Sequence, residues 1–95
     1  MFDKFELGTL CATSAIAERM KTDADFAAFV RAALVLYRTG DWGVLPEEDK
    51  EFNDNAIING ERILGVYIYH KKADKIWIIT EADRSHTTVL YPSEY

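Results

Sequence analysis

A second cysteine is missing from this sequence, so Cys11 has no partner for a disulfide within the chain and a multi-cysteine zinc site is excluded. Also missing is any apolar run near the roughly 20 residues that cross a bilayer. The first residues, Met1-Phe2-Asp3-Lys4-Phe5-Glu6, lack the long apolar centre of a secretory leader, so a reducing, cytoplasmic setting is expected. Proline is confined to Pro46 and Pro92. No Gly-rich phosphate loop, Gly-x-Ser-x-Gly elbow, His-Glu-x-x-His or Asp-x-Asp-x-Asp-Gly calcium loop occurs. Basic residues are outnumbered, eleven Lys and Arg against sixteen Asp and Glu, for a net charge of −5. They are scattered, and the densest spot, Lys71-Lys72 with Lys75, falls in a hairpin link. A reader of phosphate backbones gathers its positive charge on one face. Direct nucleic-acid binding is therefore disfavoured, and an acidic surface suits a basic protein partner. Nothing implies a cofactor or a membrane partner.

What is present suits a folded domain. Hydrophobic residues make up 48% of the chain and aromatics 13%, too many for disorder. Ninety-five residues form one domain, 1–95. Leu7 to Ala12 reads as a short strand. In it Cys11, in the apolar stretch Leu10-Cys11-Ala12, reads as a small buried hydrophobe. Thr13 or Ser14 can cap a short helix, Ala15 to Met20. Thr22-Asp23-Ala24-Asp25 fits a capping box. After it Phe26, Phe29, Val30, Ala33, Leu34 and Tyr37 make one helical stripe that Gly40 can close. Val35 and Leu36 lie off that stripe. Pro46 suits a first helical residue, with Glu47, Glu48 and Asp49 at the positive end of the dipole. A helix over 46–59 is expected, with Phe52 and Ala56 facing inward and Gly60 as its stop.

 The pair at 52 and 56 is a single i, i+4 contact that Ile57 or Ile58 can extend.

Beyond Gly60 the period changes from 3.6 to 2. Arg62 to His70, Lys75 to Glu81 and His86 to Tyr91 are rich in Ile, Val, Tyr and Thr, the composition of strands. Their short polar links, Lys71 to Asp74 and Ala82 to Ser85, make neighbouring strands antiparallel. The most apolar strand, 75–81, is expected at the centre. The expected fold is α+β, with two to three helices on one face of a three- to four-stranded, mainly antiparallel sheet, in the order β-α-α-α-β-β-β.

Three segments carry candidate chemistry. In the turn Glu81 to Thr88, His86 could serve as a general base and Arg84 as an anion clamp. The plainer reading is a hairpin turn in which Asp83 accepts backbone N–H bonds and Arg84 meets water. Trp42, between Gly40-Asp41 and Gly43, either folds back onto the core, which is favoured, or stands out as an anchor for a partner. Glu47, Glu48, Asp49, Glu51 and Asp54 form an acidic helix that is either a solvated face or a docking surface. His70 and His86 lie at opposite ends of a meander and do not share a metal ion. No catalytic and no metal-binding residues are assigned. The candidate partner-binding set is Asp41, Trp42, Glu47, Glu48, Asp49, Glu51, Asp54, Asp83 and Arg84.

Several of these segments carry a resemblance. Gly40-Asp41-Trp42-Gly43, Glu48-Asp49-Lys50 with Asn55, Gly60-Glu61-Arg62-Ile63-Leu64, the run Lys75 to Ser85 and the run Thr87 to Tyr95 together resemble a family of short bacterial proteins. Its members occur on plasmids, integrative elements and prophages. They are labelled "plasmid-related protein" or "type I restriction endonuclease subunit M". The resemblance covers about residues 5–95 and is most specific over 75–95. Segment 22–39 departs from it in being longer and more apolar. A methyltransferase subunit needs a strand–Gly-loop–helix cofactor unit that this chain lacks. The resemblance therefore implies a mobile-element setting rather than methyl transfer, and it supplies no catalytic residues.

The expected function is that of a small acidic, non-enzymatic interaction protein. Its expected partner is a protein, such as a nucleic-acid-binding defence complex, inhibited in the manner of anti-CRISPR and antirestriction proteins. One alternative is a small RNA-cleaving, toxin-like enzyme using Glu81, Arg84 and His86. Another is a regulatory or structural homodimer built by pairing an exposed strand edge.

Overall fold

A computed structural model describes residues 3–70 and 74–95, so Lys71 and Lys72 of the basic hairpin link lie outside the described residues. The chain runs β1 (Thr9–Ala12), α1 (Ser14–Thr22), α2 (Ala24–Arg38), α3 (Glu47–Asn59), β2 (Ile63–Tyr69), β3 (Asp74–Thr80) and β4 (His86–Leu90), and closes in a 3-10 turn, Pro92–Glu94. The four strands form one sheet in the order β1-β4-β3-β2. The meander β2-β3-β4 is antiparallel, with Gly65 opposite Ile78 and Ile78 opposite Val89. β1 lies parallel to β4, with Thr9 beside His86 and Ala12 beside Val89. β3 is interior as its composition requires, and β4 shares that position because β1 covers its other side.

The helices begin where side chains can serve their first amides. Thr13 caps α1 by accepting from the Ile16 N–H. Asp23, not Thr22, caps α2, accepting from the Phe26 N–H at 3.1 Å. Thr22 instead ends α1, its hydroxyl donating to the Glu18 carbonyl, so the capping box expected there does not form. A single residue between two helices must cap the second, and the aspartate is the stronger acceptor. The α2 stripe is as its spacing requires: Phe26, Val30, Ala33 and Tyr37 are buried, and Phe29 and Leu34 pack beside them. Pro46 is the residue before α3 rather than its first, and Gly60 ends α3 with a positive φ of 71°.

Alternation sends Ile63, Tyr67 and Tyr69 of β2, Ile76 and Ile78 of β3, and Val89 of β4 into one core with Ile16, the α2 stripe, Phe5 and Trp42. Phe5 and Tyr37 meet edge to face at 5.3 Å, and Tyr37 meets Trp42 in the same way at 5.5 Å. Such pairs add about 0.5–1.5 kcal/mol each beyond burial. A hydroxyl chain crosses this core: Tyr37 to Thr80 at 2.7 Å, Thr80 to Thr87 at 2.6 Å, and Thr87 donating to the Leu7 carbonyl at 2.7 Å. It ties the N-terminal segment to the sheet. Burial pushes the Tyr37 phenol well above its ordinary range, and does the same to Tyr67, whose hydroxyl donates to the Asp41 carbonyl.

Two expectations about burial fail. Cys11 is exposed, because β1 is an edge strand and all four of its residues are open to solvent. Phe52 does not face inward with Ala56; it is 56% exposed, and Asn53 takes the buried place beside Ala56. No helix among the described residues is long and apolar enough to cross a membrane.

Candidate functional site

The loop between α2 and α3 is shaped by close approach to β2. A Cβ at Gly43 would collide with the Val66 carbonyl, and its φ of 79° is one that side chains rarely tolerate. The approach lets the Val66 N–H donate to the Trp42 carbonyl and the Val44 N–H donate to the Val66 carbonyl, extending the sheet by one bridge. Asp41 accepts from the Gly43 N–H at 3.1 Å and so stiffens the turn. The same geometry folds Trp42 into the core at 2% exposure, its indole N–H donating to Asp54 at 2.9 Å. Trp42 therefore does not stand out as an anchor for a partner.

α3 continues that edge. Asn53, 4% exposed, acts as a short substitute strand: its amide N–H donates to the Leu64 carbonyl at 2.7 Å and its side-chain oxygen accepts from the Leu64 N–H at 3.3 Å. With Ala56 it is the whole fully buried contact of the helix. A helix held by so narrow a strip leaves most of its circumference outside. Glu47, Glu48, Asp49, Glu51 and Asp54 are all exposed, as expected of an acidic face. Among them stand Phe52 and Ile58, the latter 83% exposed. Beneath Phe52 runs a groove of about 410 Å³ lined by Leu45, Asp49, Asn53, Arg62 and Leu64. At the other side of the helix start, Asp41, Glu47 and Asp54 rim a second hollow with Lys50. Lys50 lies 3.7 Å from Glu47.

In the turn after β3 Asp83 accepts a backbone N–H bond, as the plainer reading of the sequence has it, but Arg84 fits neither reading. Arg84 has a positive φ of 60°, and its guanidinium donates to the carbonyls of Ala56, Glu61, Glu81 and Ala82. It neither points to water nor stands free to clamp an anion. It is a fixed cation at the C-terminal end of α3, where the helix dipole favours positive charge. Asp83 accepts from the Ser85 N–H at 2.9 Å, and hydrogen bonding to Ser85 holds its carboxyl below the ordinary range. Ser85 Oγ and His86 Nδ1 lie 2.9 Å apart on the exposed rim. Glu81, Ala82, Asp83, Ser85 and His86 line one shallow hollow, all of them from this one turn.

The structure thus divides the candidate residues. Asp41, Glu47 and Asp54 gather at the start of α3, Glu48 and Glu51 lie on its outer side, the exposed Asp49 borders the groove beside Phe52, and Asp83 and Arg84 sit at its far end, about 20 Å away at 1.5 Å per residue. Sequence reasoning missed Phe52, Ile58 and Asn53. The available signal was the weak apolar periodicity of 46–59, which leaves no room for a full inward stripe. Among the described residues no group of three His, Cys, Asp or Glu is placed to hold a metal ion. Comparison with family models, curated proteins and solved structures finds no match to this chain.

Proposed function

We propose that the chain is a non-enzymatic interaction protein whose working surface is the outer side of α3. Glu47, Glu48, Asp49 and Glu51 supply the charge and Phe52 the apolar anchor, and the partner presents a basic surface with an apolar recess. The observation that carries this reading is the exposure of Phe52 and Ile58 on a helix whose other exposed positions are largely carboxylates. Aromatic side chains are enriched at the centres of protein interfaces, with polar residues at the rim. The carboxylates steer encounter with a positive partner and set its register. The resemblance to mobile-element proteins suggests that partner: a defence nuclease whose basic nucleic-acid channel is occupied by α3. The RNA-cleaving alternative is weakened because four backbone carbonyls engage the Arg84 guanidinium.

The test uses purified CRISPR effector and type I restriction complexes with labelled target DNA. The chain is expected to displace DNA from one of them. Phe52→Ala should raise the inhibitory concentration roughly tenfold or more, the effect of losing a hot-spot residue. Changing Glu47, Glu48 and Asp49 to Lys should abolish inhibition. Inhibition equal to wild type in both variants would remove α3 as the working surface.

A further inference from the structure

The two edges of the sheet are not alike. At the β2 edge the outward backbone groups of Leu64 are bonded by Asn53, and those of Val66 by the loop at 42–44. At the β1 edge the Thr9 N–H donates to Ser85 and the Thr13 N–H to Val89, so the parallel ladder turns residues 9, 11 and 13 toward β4. Leu10 and Ala12 consequently direct their N–H and C=O groups outward, and both residues are exposed, Leu10 at 53%. Natural edges are usually guarded by charge, proline or a bulge. This one has none of these, and the sequence from Leu7 to Ala17 carries no charged residue in a chain that is 28% charged.

We propose that β1 pairs antiparallel with β1 of a second copy about a two-fold axis at Cys11, joining two sheets into one of eight strands. The register follows from the ladder. An outward-facing residue must oppose an outward-facing residue, which allows only three axes. An axis at Leu10 or at Ala12 opposes one such residue to itself and sets the other against Gly8, which has a positive φ, or Ser14, which is already helical. Only an axis at Cys11 sets Leu10 opposite Ala12 twice, so that both residues of both copies exchange their N–H and C=O bonds. No like charges meet across that axis. A two-fold contact uses the same edge of both copies and so closes at two, and Asn53 and the loop at 42–44 already occupy the Leu64 and Val66 groups of the β2 edge. Both α3 helices then lie at the far ends of the joined sheet, free of the new contact, so the pairing is independent of the function proposed for α3.

Cys11 reports on this geometry. At the axis it meets its symmetry mate in a non-hydrogen-bonded pair, with Cα atoms about 4.5 Å apart. That lies within the roughly 4.4–6.8 Å that a disulfide spans. Sedimentation and light scattering of the full chain should give twice the 10.9 kDa of one copy. Diamide, a two-electron thiol oxidant, should take the two thiol hydrogens and leave a Cys11–Cys11 bond between copies. Cys11→Ser should abolish the cross-link and leave the mass doubled. Leu10→Lys places charge on the edge, and Ala12→Pro removes an outward donor. Each should raise the dimer dissociation constant at least tenfold and suppress cross-linking, with circular dichroism unchanged in at least one of them. A mass of 10.9 kDa throughout a concentration series overturns the proposal. A doubled mass with no Cys11 cross-link and no response to either edge variant overturns it equally. Phe52→Ala should leave the dimer intact, which separates this result from any failure at α3.

Discussion

Replacing Asn53 by leucine removes the two bonds by which α3 closes the β2 edge. The side chain keeps its shape, so the loss is almost wholly polar. In the folded chain the Leu64 carbonyl loses a 2.7 Å partner and the Leu64 N–H a 3.3 Å partner. Each bond contributes about 0.5–1.5 kcal/mol net, and a backbone group left unpaired at a buried site costs about 1–3 kcal/mol. Leu64 is half-buried, so water reaches part of the exposed edge and the lower ends of these ranges apply. The apolar leucine recovers some burial energy beside Ala56. The net cost comes to about 2–4 kcal/mol, a large share of the roughly 5–15 kcal/mol that holds a domain together. At about 4–8 °C per kcal/mol for a domain of this size, the melting temperature should fall by roughly 10–25 °C. Urea unfolding followed by circular dichroism measures the first quantity, with an unchanged slope expected because the surface exposed on unfolding is the same. Asn53→Asp should be worse, since a carboxylate cannot donate to the Leu64 carbonyl. A stability within about 0.5 kcal/mol of wild type for Asn53→Leu would refute the claim that this asparagine, and not an apolar stripe, anchors α3.

Phe52→Ala should change stability by no more than about 0.5 kcal/mol, because the ring is mostly in solvent; a loss above about 2 kcal/mol in urea unfolding would show that it packs inward after all. Burial lifts the phenols of Tyr37 and Tyr67 above the ordinary value of about 10. The neutral form is therefore favoured by folding. Its contribution is whole below about pH 10 and is lost as the pH climbs beyond it toward the folded-state values. In an ultraviolet alkaline titration, two of the five tyrosines should stay un-ionised until the chain unfolds. All five titrating together in the folded chain would contradict the buried hydroxyl chain.

Much of the fold was legible because it rests on strong local periodicity. The α2 stripe from Phe26 to Tyr37, the period-2 runs of the meander and the stop at Gly60 are each set by residues near in sequence. The failures share one physical cause: tertiary contacts reassigned positions that local pattern leaves open. Cys11 looks apolar among its neighbours, yet β1 pairs on one side only, and no helix covers it. Phe52 looks like a core residue by type, but α3 meets the sheet at its edge, where a polar side chain that can mimic a strand is worth more than a ring. Thr22 fits a cap in spacing, but α1 runs to that residue and leaves Asp23 alone to cap α2. The acidic character of α3 needed only composition. Its apolar anchor needed the orientation of the helix, which Asn53 sets through Leu64. Arg84 was unreadable in either role because its four carbonyl partners come from three separate stretches of chain, at Ala56, Glu61 and the Glu81–Ala82 turn.

The claim that α3 is the working surface is tested most directly by parallel affinity capture from the host cell with three baits, followed by mass spectrometry. The baits are the wild-type chain, the variant with Glu47, Glu48 and Asp49 changed to Lys, and Leu10→Lys at the opposite edge. The account predicts one nucleic-acid-binding complex recovered with the wild-type chain and with Leu10→Lys, and lost from the α3 variant. Recovery of the same complex in undiminished yield on the α3 variant would contradict it.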